Sequence, residues 1–250
     1  MIRALLLLVT LFATPVSAQE VVAGLSQSRI SITTNFDGSE ILVFGAVKRS
    51  EALASDEPLQ VAIAVAGPSE PVVVRRKDKR AGIWVNNASV EVDAAPSFYA
   101  VATSAPWDEV LKDTEDLRYK LSINRAIRSV GAEIEGSEAF TEALIRIRES
   151  ENLYQTNIGA VEFAEQTLFD TSIRLPANLT EGAYSARFLL TQGGNVLDEY
   201  VTEISVQKVG LERFLYRLAH DRPLVYGLLS LAIAIFSGWA ASAVFRYFRA

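Results

Sequence analysis

The chain of 250 residues has no cysteine and a single histidine, His220. Without thiols there is neither a disulfide framework nor cysteine chemistry, so packing must hold the fold together. Because that imidazole stands between an amphipathic segment and Asp221-Arg222-Pro223, neither a Ser-His-Asp triad nor a multi-histidine metal centre is expected in the rest of the chain; His220 itself is either a pH sensor at a membrane surface or, more simply, a polar interfacial residue. Positive charge is also scarce: 24 Lys and Arg face 30 Asp and Glu, a net charge of -6. Such a balance argues against nucleic-acid binding, because phosphate contact favours a basic footprint.

Charge is missing altogether from residues 224–245, LVYGLLSLAIAIFSGWAASAVF. At ~1.5 Å per helical residue this run reaches across the ~30 Å hydrocarbon core of a bilayer, and 223–245 is predicted to be a transmembrane helix. Pro223 suits its first turn, while Arg222, Arg246 and Arg249 mark its ends at the membrane interface. At the other terminus, Arg3, a short apolar run and Val16-Ser17-Ala18 have the pattern of a cleaved signal peptide, residues 1–18. Counting Arg213, Arg217 and Arg222 against Arg246 and Arg249 does not by itself favour a cytoplasmic C-terminus. The leader decides the orientation: the main domain is expected in the periplasm, anchored by a single pass in a bacterial inner membrane, with 246–250 as a short cytoplasmic tail.

Between these segments the chain reads as mainly β. Alternation over 29–34, an Asp37-Gly38 turn signal and the apolar run 41–47 predict a β-hairpin. Further strands are predicted around Val61-Ile63-Val65, from Val72, over 83–92 and over 98–103, completing an N-terminal β region, 19–103. Ser104-Ala105-Pro106-Trp107-Asp108-Glu109 is a helix start and Phe140, Ala143, Leu144 and Ile147 form a helical stripe, so 104–153 is a helical insertion whose apolar faces cover a sheet. β character returns from Ala160 in a C-terminal β region, 154–208. There Leu179, Gly182 and Tyr184 have the spacing of the tyrosine corner found in immunoglobulin-like sandwiches. The expected fold is one or two immunoglobulin-like antiparallel β-sandwiches with the helical insertion.

In the amphipathic juxtamembrane segment, 209–222, Leu211, Phe214, Leu215 and Leu218 share a stripe that leaves Arg213 and Arg217 outside it. The segment either lies in the membrane interface or extends the anchor as a helical stalk. Within the span, Ser230, Ala234, Gly238 and Ser242 recur every fourth residue and lay down a strip of small side chains against which another helix can pack. Arg75, Arg76, Lys77, Lys79 and Arg80 make the one concentrated basic patch, a candidate anion or partner site; Trp84 beside it is read first as core and second as a ligand platform. No phosphate-binding glycine loop and no recognisable pair of catalytic carboxylates is present, so no catalytic, cofactor-binding or metal-ligating residues are assigned.

Several stretches together carry a resemblance to a family. They are Val43-Phe44-Gly45-Ala46, Arg76-Lys77, Gly82-Ile83-Trp84-Val85-Asn86, Ala95-Pro96-Ser97-Phe98-Tyr99-Ala100-Val101, Leu175-Pro176 with Gly182-Ala183-Tyr184, and Glu212-Arg213-Phe214-Leu215-Tyr216 running into Pro223-Leu224-Val225-Tyr226-Gly227-Leu228. With the leader, they make the chain similar to the alphaproteobacterial transmembrane protein family of single-span envelope proteins. The resemblance implies genes lying near sulfite-exporter-type permeases, and supplies no catalytic residues. The expected function is a membrane-anchored, non-catalytic binding module without a cofactor, accessory to an integral membrane partner such as an anion permease. The alternatives are an envelope hydrolase using paired carboxylates and an envelope assembly or chaperone factor.

Overall fold

A computed structural model describes residues 20–33, 36–48, 57–128, 136–165, 167–209 and 211–249. The predicted signal peptide, 1–18, and Ala250, the end of the predicted tail, lie outside them. The chain divides into two units, Met1–Ile30 with Asp37–Val206, and Ser31–Phe36 with Gln207–Ala250.

The fold is mainly β, built from two larger sheets and a ribbon. One sheet has the order β1 (Glu20–Leu25), β3 (Ser39–Lys48), β10 (Leu168–Leu175), β9 (Glu162–Ala164), and all its neighbours are antiparallel. The other has the order β2 (Arg29–Ile32), β12 (Asn195–Lys208), β11 (Gly182–Gln192), β4 (Leu59–Ala66), β7 (Tyr99–Thr103), β8 (Tyr154–Asn157). β5 (Ser69–Arg80) and β6 (Ile83–Pro96) form a two-stranded ribbon, which an isolated bridge ties to Arg128 through Ala94. Strands from before and after the helical insertion lie side by side in both large sheets, β3 with β10 in one and β2 with β12, β4 with β11 and β7 with β8 in the other, so the two β regions share a core.

Period-two burial builds that core. β10 turns Phe169, Thr171, Ile173 and Leu175 inward and exposes the residues between them. On β11, Phe188 lies opposite Ile63 of β4, and its ring packs 6.1 Å from that of Phe169, joining the two sheets. Burying a side chain of this size is worth roughly 1.5–3 kcal/mol. β4 is buried on both faces because its alternate residues Ala62 and Ala64 leave room for a third layer. That layer is the helical insertion: α1 (Trp107–Val110), α2 (Asp113–Tyr119), α3 (Ile123–Ala126) and α4 (Ser137–Ser150). α1 begins directly after Pro106, as expected, but Ser104 does not cap it. The Ser104 hydroxyl instead accepts the Val61 N–H at 2.9 Å and donates to Gln60 Oε1 at 2.6 Å.

Two strand expectations need correction. β2 and β3 do not form a hairpin, since they belong to different sheets. Asp37-Gly38 serves the crossing between sheets: a Cβ on Gly38 would come within 2.8 Å of the Leu175 carbonyl oxygen, so glycine is needed for close approach. β structure also returns earlier than Ala160. β8 begins at Tyr154 and runs parallel to β7, a pairing made possible by the helical crossover between them.

In the second unit, α5 (Leu211–Asp221) leads into α6 (Pro223–Arg249). Pro223–Ser242 is long and apolar enough to cross a membrane, and none of that stretch is buried against protein.

Candidate functional site

The β5–β6 ribbon is the outstanding surface feature of the first unit. At its base Val74, Val90 and Val92 are buried, which anchors the ribbon to the domain. Beyond them every side chain from Arg75 to Arg80 and from Ile83 to Asn87 is exposed. The ribbon closes through Ala81 and Gly82, with φ of 50° and 85°; two consecutive positive φ angles are what a type I′ hairpin loop requires.

Trp84 is not a core residue. It is 64% exposed, next to Ile83 at 68%, because no other layer covers the outer part of the ribbon. Register places Lys79 opposite Trp84, Lys77 opposite Asn86 and Arg75 opposite Ser89. Alternate strand residues share a face, so Arg75, Lys77 and Lys79 form a row at roughly 7 Å intervals that ends beside Trp84. Among the described residues, none of these three side chains has an ion-pair partner.

The other cations of the predicted patch have structural work. Arg76 sits on the opposite face, its guanidinium 5.6 Å from the centre of the Phe140 ring on α4, a cation–π contact. Arg80 donates from Nη2 to Asn87 Oδ1 at 3.0 Å, and Asn87 lies at the register shift between Arg76 and Lys77. The sequence reading therefore located the patch but not its division between two faces. It also missed Ile83 and Val85, whose flanking of Trp84 within a run of polar neighbours was the available signal.

The Ser230, Ala234, Gly238 and Ser242 strip lies along α6 with all four residues exposed. A Cβ on Gly238 would meet nothing within 4 Å, and the Ser230 hydroxyl is returned to its own helix, donating to the Tyr226 carbonyl at 2.9 Å. On α5, Phe214, Leu215 and Arg217 are exposed, as is Arg222 beyond it. Phe214, Arg217, Leu218, Asp221 and Arg222 border a groove of about 570 Å³ with Gln207 and Val209. His220 stacks on Tyr216 with ring centres 4.1 Å apart, and its Nδ1 lies 2.9 Å from the Tyr216 carbonyl oxygen. The backbone carrying Arg213, Arg246 and Arg249 is helical; their side chains are outside the described set.

Two polar groups buried in the first unit, Asp116 and Tyr99, help to hold the helical layer. Asp116 accepts the Leu121 N–H at 3.0 Å, the Ser122 N–H at 2.8 Å and the Ser122 hydroxyl at 2.7 Å. Tyr99 donates to the Leu121 carbonyl at 2.8 Å; burial raises its hydroxyl pKa, opposed by the Arg187 charge. Tyr184 donates to the Thr180 carbonyl at 2.8 Å, four residues upstream, and burial raises its pKa too. A groove of about 660 Å³ is bordered by Asp37, Glu151 and Arg174, bringing two carboxyl groups to one cleft. Among the described residues, no group of three His, Cys, Asp or Glu side chains converges as a metal site would.

No curated protein matches the chain. The family described as Putative transmembrane protein (Alph_Pro_TM) matches residues 20–247, which takes in both units and the apolar helix. The chain belongs to this family, and it is a single-pass, membrane-anchored protein with a β-rich domain.

Proposed function

We propose that the protein is a non-catalytic binding module held at the bacterial inner membrane, with its β domain in the periplasm, and that it is accessory to an integral membrane partner such as a sulfite-type anion permease. The observation that carries this reading is the exposed small-residue strip on α6, with open space around Gly238. In a bilayer such a strip allows a second helix to approach closely, which is the usual basis of intramembrane association. The periplasmic side rests on the leader-like N-terminus and the permease on the family resemblance.

An immunoglobulin-like arrangement belongs to the same reading. Taken in chain order, β1, β3, β4, β9, β10, β11 and β12 fill strands A to G, and the sheet orders β1-β3-β10-β9 and β12-β11-β4 then follow ABED and GFC. Tyr184 falls near the start of the sixth of these strands, where a tyrosine corner belongs. The β5–β6 ribbon and the helical layer are then insertions between the third and fourth strands. Domains of this architecture more often present surfaces than enclose catalytic clefts. The hydrolase alternative draws on Asp37 and Glu151, which share a groove with Arg174.

The test is affinity purification of the tagged full chain from mildly solubilised membranes, with identification of what accompanies it. The expected result is an integral membrane protein that is recovered with the wild type and depleted with Gly238→Leu. Equal recovery with the variant would remove the helix contact from the proposal.

A further inference from the structure

We infer that the outer end of the β5–β6 ribbon is a second membrane contact, which inserts Ile83 and Trp84 into the headgroup zone of an anionic phospholipid surface and sets Arg75, Lys77 and Lys79 against lipid phosphates. The inference rests on the membrane anchor and not on the identity of any protein partner.

Three features converge on the ribbon. Its tip is apolar and uncovered, with Ile83, Trp84 and Val85 all exposed. Indole rings are favoured where one side of the ring is apolar and the other wet, as at a bilayer interface. Directly behind the tip, Lys79, Lys77 and Arg75 run up one face without ion-pair partners among the described residues, and their long aliphatic stems let the charges stay at the headgroups while the tip descends. Arg80, placed by Asn87, adds a fourth charge at the tip.

The third feature is charge contrast. The chain as a whole carries a net charge of -6, and the ribbon is its concentrated basic segment. An anionic surface therefore repels the body of the domain and attracts the ribbon, so that the ribbon meets the surface end-on. A soluble acidic partner would satisfy the cations but would leave the exposed Ile83 and Trp84 unexplained. Length suits the role as well: from Arg75 to Arg80 the strand extends roughly 20 Å, enough to carry the tip clear of the domain.

The absence of cysteine makes the test clean, because one introduced thiol is labelled alone. The full chain carrying Ile83→Cys, labelled with an environment-sensitive fluorophore, is reconstituted in phosphatidylcholine vesicles with or without about one third phosphatidylglycerol. The readouts are the emission shift and quenching by lipids brominated on their acyl chains. The expected result is a blue-shifted, quenched label in vesicles containing phosphatidylglycerol. The effect should be lost in the Arg75→Glu, Lys77→Glu, Lys79→Glu variant and in molar salt, and absent for the same label at the exposed base position with Val73→Cys.

An unshifted, unquenched label at position 83 in anionic vesicles would overturn the inference. So would quenching that survives the three charge reversals. A shift that follows protein density instead of lipid charge would assign the ribbon to a second copy of the chain and overturn it equally. Co-purification through α6 is read separately, so loss of the protein partner leaves this outcome unchanged.

Discussion

Arg187, on β11, donates from Nη1 to the carbonyl of Tyr119 at the C-terminus of α2, at 2.8 Å. Its Nη2 reaches the next carbonyl, Lys120, at 3.3 Å, and Glu199 lies 3.9 Å from Nη1. Terminal helix carbonyls have no partner within the helix, so one arginine from the sheet satisfies two acceptors and fixes the helical layer to its support. Replacing it with Met keeps most of the aliphatic packing and removes both donors. Arg187→Met is expected to destabilise the first unit by about 1–3 kcal/mol, measured by thermal or urea unfolding of the solubilised chain.

Alkaline pH should weaken the fold through its buried phenols. Tyr154 is pushed by burial from 10.0 up to about 12, and Tyr99 and Tyr184 are also raised. A phenol with a raised folded pKa keeps its proton after the unfolded chain has lost it. The unfolded state then binds fewer protons, and stability falls as pH rises from about 10 toward 12. Tyr154 contributes on the order of 1 kcal/mol per pH unit in that window. Tyr154→Phe should flatten this decline in unfolding experiments across the window. At neutral pH it should cost about 1–2 kcal/mol, because the Pro96 carbonyl loses the hydroxyl that donates to it at 2.8 Å.

Gly45 marks the tightest place in the four-stranded sheet. A Cβ there would run into the Phe169 ring and stand 2.7 Å from the Val22 carbonyl oxygen. Relief requires Phe169 to turn or β1 to separate from β3, and Phe169 is packed against Phe188. Gly45→Ala is therefore expected to cost about 1–3 kcal/mol, visible as a lower melting temperature with little change in secondary structure.

Tyr184→Phe isolates the corner hydrogen bond to Thr180. The ring and its packing against Phe98 remain, with centroids 6.1 Å apart, while the carbonyl loses its donor. A loss of about 1–2 kcal/mol is expected by urea unfolding. An unaltered midpoint would mean that the corner contributes packing alone.

Local signals in the sequence located local structure. The uncharged run gave the apolar helix, Pro106 gave the start of the helical layer, and Tyr184, singled out in Leu179-x-x-Gly182-x-Tyr184, proves to donate back to Thr180. Long-range pairing was not legible. The pattern over 29–34 and 41–47 is that of two strands whether they pair with each other or join separate sheets, and the choice depends on β12 and β10 far along the chain. β8 escaped notice because only Tyr154 of Tyr-Gln-Thr-Asn is buried, leaving no alternation to detect. Trp84 shows the same limit in the candidate site: an apolar residue in a strand is identical in sequence whether a layer covers it or not.

The interleaving of strands across the helical layer has a kinetic consequence. β10 lies between β3 and β9, and β11 lies between β4 and β12, so each sheet lacks a central member until late in synthesis. A nascent chain that has emerged only as far as β8 has no stable half to fold into. Such dependence on distant segments slows folding and prolongs exposure of unpaired edges. Completion must wait for Asn195–Lys208 to emerge, and only residues 209–222 separate that strand from the apolar helix, so maturation of this domain and arrival of its anchor follow one another closely.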